Sequence, residues 1–138
     1  MDKALWVFVG GGLGSVLRYA LALLVSGLTP EQSQTPHWVS MYPIATLGAN
    51  IIGCGLIGVA WGLLGPSDDG NQTIRLLLIV GVLGGFTTFS SFGLETIELV
   101  QADRVGAAGA YVLLSVIVGL FAVWCGFAAS QYFASGGN

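Results

Sequence analysis

Long apolar runs, separated by three short polar segments, fill almost the whole chain. A membrane-spanning helix needs roughly 20 mostly apolar residues. Four stretches reach that length, at about 4–28, 41–64, 74–100 and 105–133. The segments between them, TPEQSQTPHWVS, GPSDDGNQT and QADR, are too short to hold a soluble domain. The pattern therefore predicts an all-α integral membrane fold, with one four-helix transmembrane domain over residues 1–138. The first run begins MDK, contains Arg18 and leads into three more runs, so it reads as a retained helix and not a cleaved leader.

The third run breaks the pattern. IRLLLIVGVLG is a plain membrane helix, but Gly84-Gly85-Phe86-Thr87-Thr88 follows about ten residues after its start at Ile74. At 1.5 Å per residue this lies near the bilayer middle. Non-helical backbone at that depth is tolerated only within protein or beside water. A break there would free carbonyl oxygens for a hard cation such as Na⁺. It would also start a second half-helix with a partly positive N-terminus. The alternative is a continuous helix with a glycine weak point. Phe86, Phe89 and Phe92 recur every three residues, which places them on one helix face, and Thr87, Thr88, Ser90 and Ser91 alternate with them. A phenyl ring has a positive edge, which suits a small anion.

Polar residues inside the other runs add candidates. Arg18 either snorkels to the interface or lines an aqueous vestibule. Asn50 either bonds a neighbouring helix or offers an amide N–H to an anion. Tyr111 and Ser115 stand four apart and share a helix face. Glu95 and Glu98 are the only carboxylates within the runs, and Glu95 is either the one candidate for proton coupling or a cap or vestibule contact near the membrane edge. Gly10-xxx-Gly14, Gly58-xxx-Gly62 and Gly81-xxx-Gly85 predict close helix contacts. Trp6, Trp38, Tyr42, Trp61 and Tyr132 fall near run ends, as aromatic belts do. His37 reads as a solvated loop residue.

Composition narrows the class. The 138 residues are 54% hydrophobic and 8% charged, against about a quarter charged in a soluble domain. There is no basic patch, so nucleic acid is not an expected partner. Cys54 and Cys125 are too few for a disulfide framework or a metal cluster and read as packing residues. No enzymatic activity is expected. Charge near the run ends barely sets an orientation: Lys3 and Arg75 fall on one side and Arg104 on the other. On charge alone, a single orientation and two opposed copies both stand.

Three motifs, in order, carry a resemblance. Gly10-Gly11-x-x-Gly14-Ser15-x-x-Arg18-Tyr19 resembles GGxxGAxxRY, Thr46-Leu47-x-x-Asn50 resembles GTLxxN with Ala45 in place of the glycine, and Gly84 to Phe92 resembles GGLTTFSTF. These patterns belong to the Fluc-type (CrcB) fluoride channels. The resemblance implies an antiparallel, dual-topology homodimer with two pores and a third helix broken near the midplane. It implies a structural Na⁺ on the dimer axis, held by the backbone carbonyls of Gly84 and Thr87. It assigns Asn50, Thr88, Phe89, Ser91, Phe92, Glu95, Tyr111 and Ser115 to the fluoride pathway and Arg18 to a vestibule. It implies passive export of cytoplasmic fluoride, fluoride resistance and a multi-pass protein of a bacterial inner membrane. The rival is a small dual-topology multidrug or cation exporter. That class is expected to carry a glutamate in its first helix, where this chain has Arg18 and no carboxylate.

Overall fold

The computed structural model describes residues 3–28, 43–65 and 71–136. His37, Trp38, Tyr42 and the start of the second run lie outside the described residues. The architecture is all-helical. The first run is α1 (Lys3–Leu28) and the second is α2 (Ile44–Leu64). The third is built from α3 (Gln72–Arg75), a π-helical segment (Leu76–Leu83), α4 (Gly84–Phe86) and α5 (Phe89–Gln101). The fourth is α6 (Val105–Ala134). Four stretches are long and apolar enough to cross a membrane: Lys3–Gly27, Ile44–Leu64, Gln72–Gln101 and Val105–Ala134.

Local chemistry sets the ends. Pro43 precedes α2, and its carbonyl accepts the Leu47 N–H at 2.9 Å. Proline is tolerated at a helix start because its missing N–H has no helical partner there. Gly65 ends α2 with φ 63° and ψ −168°, a backbone region open to glycine and closed to residues with a Cβ. Arg75 fastens this corner. Its guanidinium donates to the Gly65 carbonyl and lies 4.5 Å from the centroid of the Trp61 ring.

The helices pair in an interleaved order. α1 packs chiefly on the π segment and α4, whereas α2 packs chiefly on α6. Glycines make both contacts close. A Cβ on Gly10 would overlap the Leu77 carbonyl oxygen, and one on Gly14 would overlap that of Val82. A Cβ on Gly81 would meet Gly10, and one on Gly85 would meet Gly11. In the other pair, a Cβ on Gly58 would strike the Val123 carbonyl and one on Gly62 the Ser130 hydroxyl. The three small-residue pairs read from the sequence are thus all at helix contacts, where backbones approach closely in the absence of a hydrophobic driving force.

The interior is small. Ala49, Leu83, Leu99, Ala108 and Tyr111 are its buried hydrophobic residues, while Phe8, Phe89 and Leu120 are among many large apolar side chains left on the outside. Leu99, Ala108 and Tyr111 form one cluster, against which Leu47 and Phe92 pack. This cluster joins α2, α5 and α6 just below the interruption in the third span.

Candidate functional site

The third span is interrupted midway. Thr87 (φ −79°, ψ 156°) and Thr88 (φ −150°, ψ 124°) are extended between α4 and α5. The Thr87 N–H still reaches the Leu83 carbonyl at 3.0 Å, and its hydroxyl donates to the same oxygen at 2.9 Å. Helical pairing stops at the next residue. The Thr88 N–H, which a continuous helix would direct to the Gly84 carbonyl, donates instead to Asn50 Oδ1 at 2.9 Å. Asn50 Nδ2 returns a hydrogen bond to the Thr88 carbonyl at 3.1 Å. One side-chain amide on α2 therefore satisfies both backbone groups of one residue, as a neighbouring β-strand would. The glycine weak point is a true break.

The second half-helix starts with its own cap. Thr88 Oγ1 accepts the Ser91 N–H at 3.2 Å, the usual service of an N-cap threonine. That N–H would otherwise meet the Thr87 carbonyl. Both carbonyls predicted to be free, those of Gly84 and Thr87, are thus released from i→i+4 pairing by identified competitors. Gly53 on α2 gives the bend its room, since a Cβ there would overlap the Thr87 methyl and press on the Phe86 ring.

The break also divides the phenylalanines. The spacing predicts Phe86, Phe89 and Phe92 on one face, but the extended pair at Thr87–Thr88 removes the helical register between Phe86 and the rest. Phe86 stays with α4 beside Gly53. Phe89 and Phe92 stack at 5.5 Å between centroids, and Phe92 stacks on Tyr111 at 5.1 Å. Phe89 is 83% exposed, although it belongs to this aromatic row.

A cavity of about 260 Å³ opens against the break. Asn50, Thr88, Phe89, Phe92 and Ser115 line it, together with the Cys54 thiol. Ser115 Oγ is buried and has no hydrogen-bond partner among the described residues. Asn50 Nδ2 carries two hydrogens and spends one on Thr88. The site therefore joins spare N–H and O–H donors to two aromatic rings. Such a set solvates an anion. Cys54, assigned only to packing by the sequence, is part of the wall.

Glu95 lies one level along α5, outside this wall. Its Oε1 accepts from Thr46 Oγ1 at 2.6 Å and its Oε2 from the Tyr111 hydroxyl at 2.7 Å. Tyr111 thus belongs to the carboxylate and Ser115, one turn on, to the cavity. Thr46 was not among the sequence candidates. Its signal was its place one turn before Asn50 on the same face of α2. Ser91 accepts from Thr88 Oγ1 at 3.2 Å and shapes the cap without lining the cavity. Arg18 is on α1, away from this wall, with its Nε buried and without a hydrogen-bond partner among the described residues. Glu98 has a buried Oε2 in the same condition.

Comparison with known proteins gives this geometry a context. The family model described as CrcB-like protein, Camphor Resistance (CrcB), matches residues 5–127. A protein of Methylobacillus flagellatus named fluoride-specific ion channel FluC is 42% identical over 127 residues, which cover 92% of this chain and 93% of that one. A protein of the same name from Flavobacterium psychrophilum is 40% identical over 126 residues, covering 91% and 94%. Another, from Azobacteroides pseudotrichonymphae, is 34% identical over 133 residues, covering 96% and 99%. The Gly10, Gly14 and Gly85 contacts, the Asn50 bond and the broken third span are built from the three motifs that carried the resemblance, and the chain belongs to the CrcB-like family.

Proposed function

We propose that this chain is a fluoride-selective passive channel that lets cytoplasmic fluoride leave the cell and so confers fluoride resistance. The observation that carries this reading is the cavity wall where the unpaired Ser115 hydroxyl, the spare Asn50 N–H and the rings of Phe89 and Phe92 meet. A buried hydroxyl without a partner calls for an explanation, and a transient anion supplies one. Fluoride is small and tightly hydrated, so its path must replace water with several donors. Amide, hydroxyl and ring-edge groups do so without a fixed cation beside them. Passage needs binding strong enough for entry and weak enough for exit. The names of the relatives support the choice of anion.

The working unit in this reading is an antiparallel homodimer in the inner membrane. Its support is energetic. Gly84 is exposed beside a carbonyl released from helical pairing. Lipid does not satisfy such a group, so protein must cover it. The exposed Phe89 lies at the same level and would be covered with it. Labelling of a C-terminal tag from both sides of intact cells is the expected result, and labelling from one side alone would reject opposed copies.

Na⁺ is the structural ion in this reading. Among the described residues no group of three His, Cys, Asp or Glu side chains could hold a metal. The carbonyl oxygens of Gly84 and Thr87 are hard, neutral donors, which fit a hard cation. They would hold Na⁺ together with their counterparts in a second copy. The bound ion would neutralise facing carbonyl dipoles at the dimer axis.

One liposome experiment tests the channel reading. Purified protein should release fluoride passively, retain chloride and leave a cationic dye unmoved. Dye transport without fluoride release would replace the channel with an exporter. In the same vesicles, an imposed Na⁺ gradient at fixed fluoride and voltage should not change the direction of fluoride flow. A reversal would mean coupled transport and would overturn passive conduction.

A further inference from the structure

A second cavity shares one lining residue, Ile57, with the first. It measures about 350 Å³ and is lined by Ile57, Gly58 and Trp61 of α2, Ile79 of the π segment, and Val123 and Phe127 of α6. Its lining is wholly apolar. Trp61 is half exposed, so the cavity reaches the outside beside that ring. Arg75 stands over the same ring, with its guanidinium carbon 4.5 Å from the centroid. The guanidinium also donates to the carbonyl of Gly65, the residue that ends α2.

We propose that this crevice holds one acyl chain of an anionic phospholipid, with the lipid phosphate on Arg75. Two features of different chemistry coincide here. The crevice offers an apolar slot between three helical elements. The cation sits over Trp61, one of the lining rings, close to the end of α2 and at the start of the third span. Arginine has five N–H donors in a planar fork that matches phosphate. One is directed to Gly65 and one face of the plane rests on Trp61, so the fork is held in place before any ligand arrives.

Charge decides between the possible occupants. In a bilayer, lipid tails are as apolar as leucine, so filling the slot does not favour a chain of protein over a chain of lipid. An apolar surface of a second copy would put nothing negative against the guanidinium. A lipid phosphate does so. Basic pockets between membrane helices take anionic headgroups for this reason.

Native mass spectrometry of the full chain tests the site. The protein is purified in detergent containing equal amounts of phosphatidylglycerol and phosphatidylcholine with identical acyl chains, and retained lipids are counted. The parent should keep phosphatidylglycerol over phosphatidylcholine by about fivefold, the preference one basic side chain at the surface supplies. Arg75→Gln should bring the ratio near one, and Arg75→Lys should keep most of the preference. Ile79→Trp fills the slot and should lower retention of both lipids with the oligomer unchanged. Should Arg75→Gln not yield folded protein, the parent ratio and Ile79→Trp decide the matter. A parent ratio of one overturns the proposal, as does a folded Arg75→Gln protein that keeps its preference. An Ile79→Trp protein that dissociates with its lipid retention unchanged also overturns it, because the slot would then be filled by a second copy.

Discussion

Replacing Asn50 with aspartate is expected to abolish fluoride flux while leaving the helices folded. The change keeps the side-chain shape and inverts one of its two bonds. Asn50 Oδ1 can still receive the Thr88 N–H, but the atom replacing Nδ2 now opposes the Thr88 carbonyl it used to serve. Leaving such a carbonyl unpaired costs about 1–3 kcal/mol. The larger effect falls on the ion. A carboxylate about 4 Å from a passing anion repels it by about 4 kcal/mol at an effective dielectric of 20. That lowers occupancy on the order of a thousandfold. The check is fluoride efflux from liposomes, after gel filtration has shown an assembly of parental size. A well-folded Asn50→Asp protein that conducts like the parent would remove Asn50 from the pathway.

The second large effect belongs to the rings. Phe89→Ile and Phe92→Ile keep apolar bulk and remove the positive ring edge. A favourable ring contact is worth up to about 1.5 kcal/mol beyond its buried area, so each change should lower flux by on the order of tenfold. Phe92 should matter more. It stacks on Tyr111 at 5.1 Å, and Tyr111 in turn holds Glu95 at 2.7 Å. Its loss frees a donor from its place as well as removing an edge. Phe8→Ile is a matched control, since Phe8 is 78% exposed on α1, comparable to Phe89 at 83%. It should leave flux unchanged. If both pore-side variants fold and conduct like this control, the aromatic row is packing and not a path.

Much of this was legible from residue types alone. Run length gave the spans, because hydrocarbon thickness fixes how many apolar residues a helix needs. Glycine spacing gave the contact faces. Gly84 to Thr88 gave the position of the interruption, because few other residues loosen a membrane helix so effectively. What the pattern left open was how the interruption is held. Asn50 lies 38 positions away from Thr88, and two readings of its amide stood side by side. The structure shows the first, a bond from α2 to the backbone of Thr88, and leaves Nδ2 a second hydrogen for the proposed anion path. The single-face reading of Phe86 failed for a related reason. Periodicity assumes an unbroken helix, and the break falls between Phe86 and Phe89. The contacts of Thr46 with Glu95 and of Arg75 with Trp61 were not read from the sequence, because each joins groups of different segments and such pairings carry no local signal.

The interleaved pairing of the helices has a consequence for synthesis. Neighbouring spans usually lie side by side, so a nascent membrane chain can settle as successive hairpins. Here the principal partner of α1 is in the third span, and that of α2 is α6. Neither contact can form when the first two helices have emerged. The Gly10–Gly14 face must wait for Gly81 and Gly85, and the Gly58–Gly62 face waits longer, for Val123 and Ser130 close to the end of the chain. A ribosome stalled after the third span would release a protein able to make the Asn50–Thr88 bond yet bare along one whole side of α2. Commitment to the fold therefore falls at the last helix, and until then the half-made chain keeps a glycine-lined helix face without its partner.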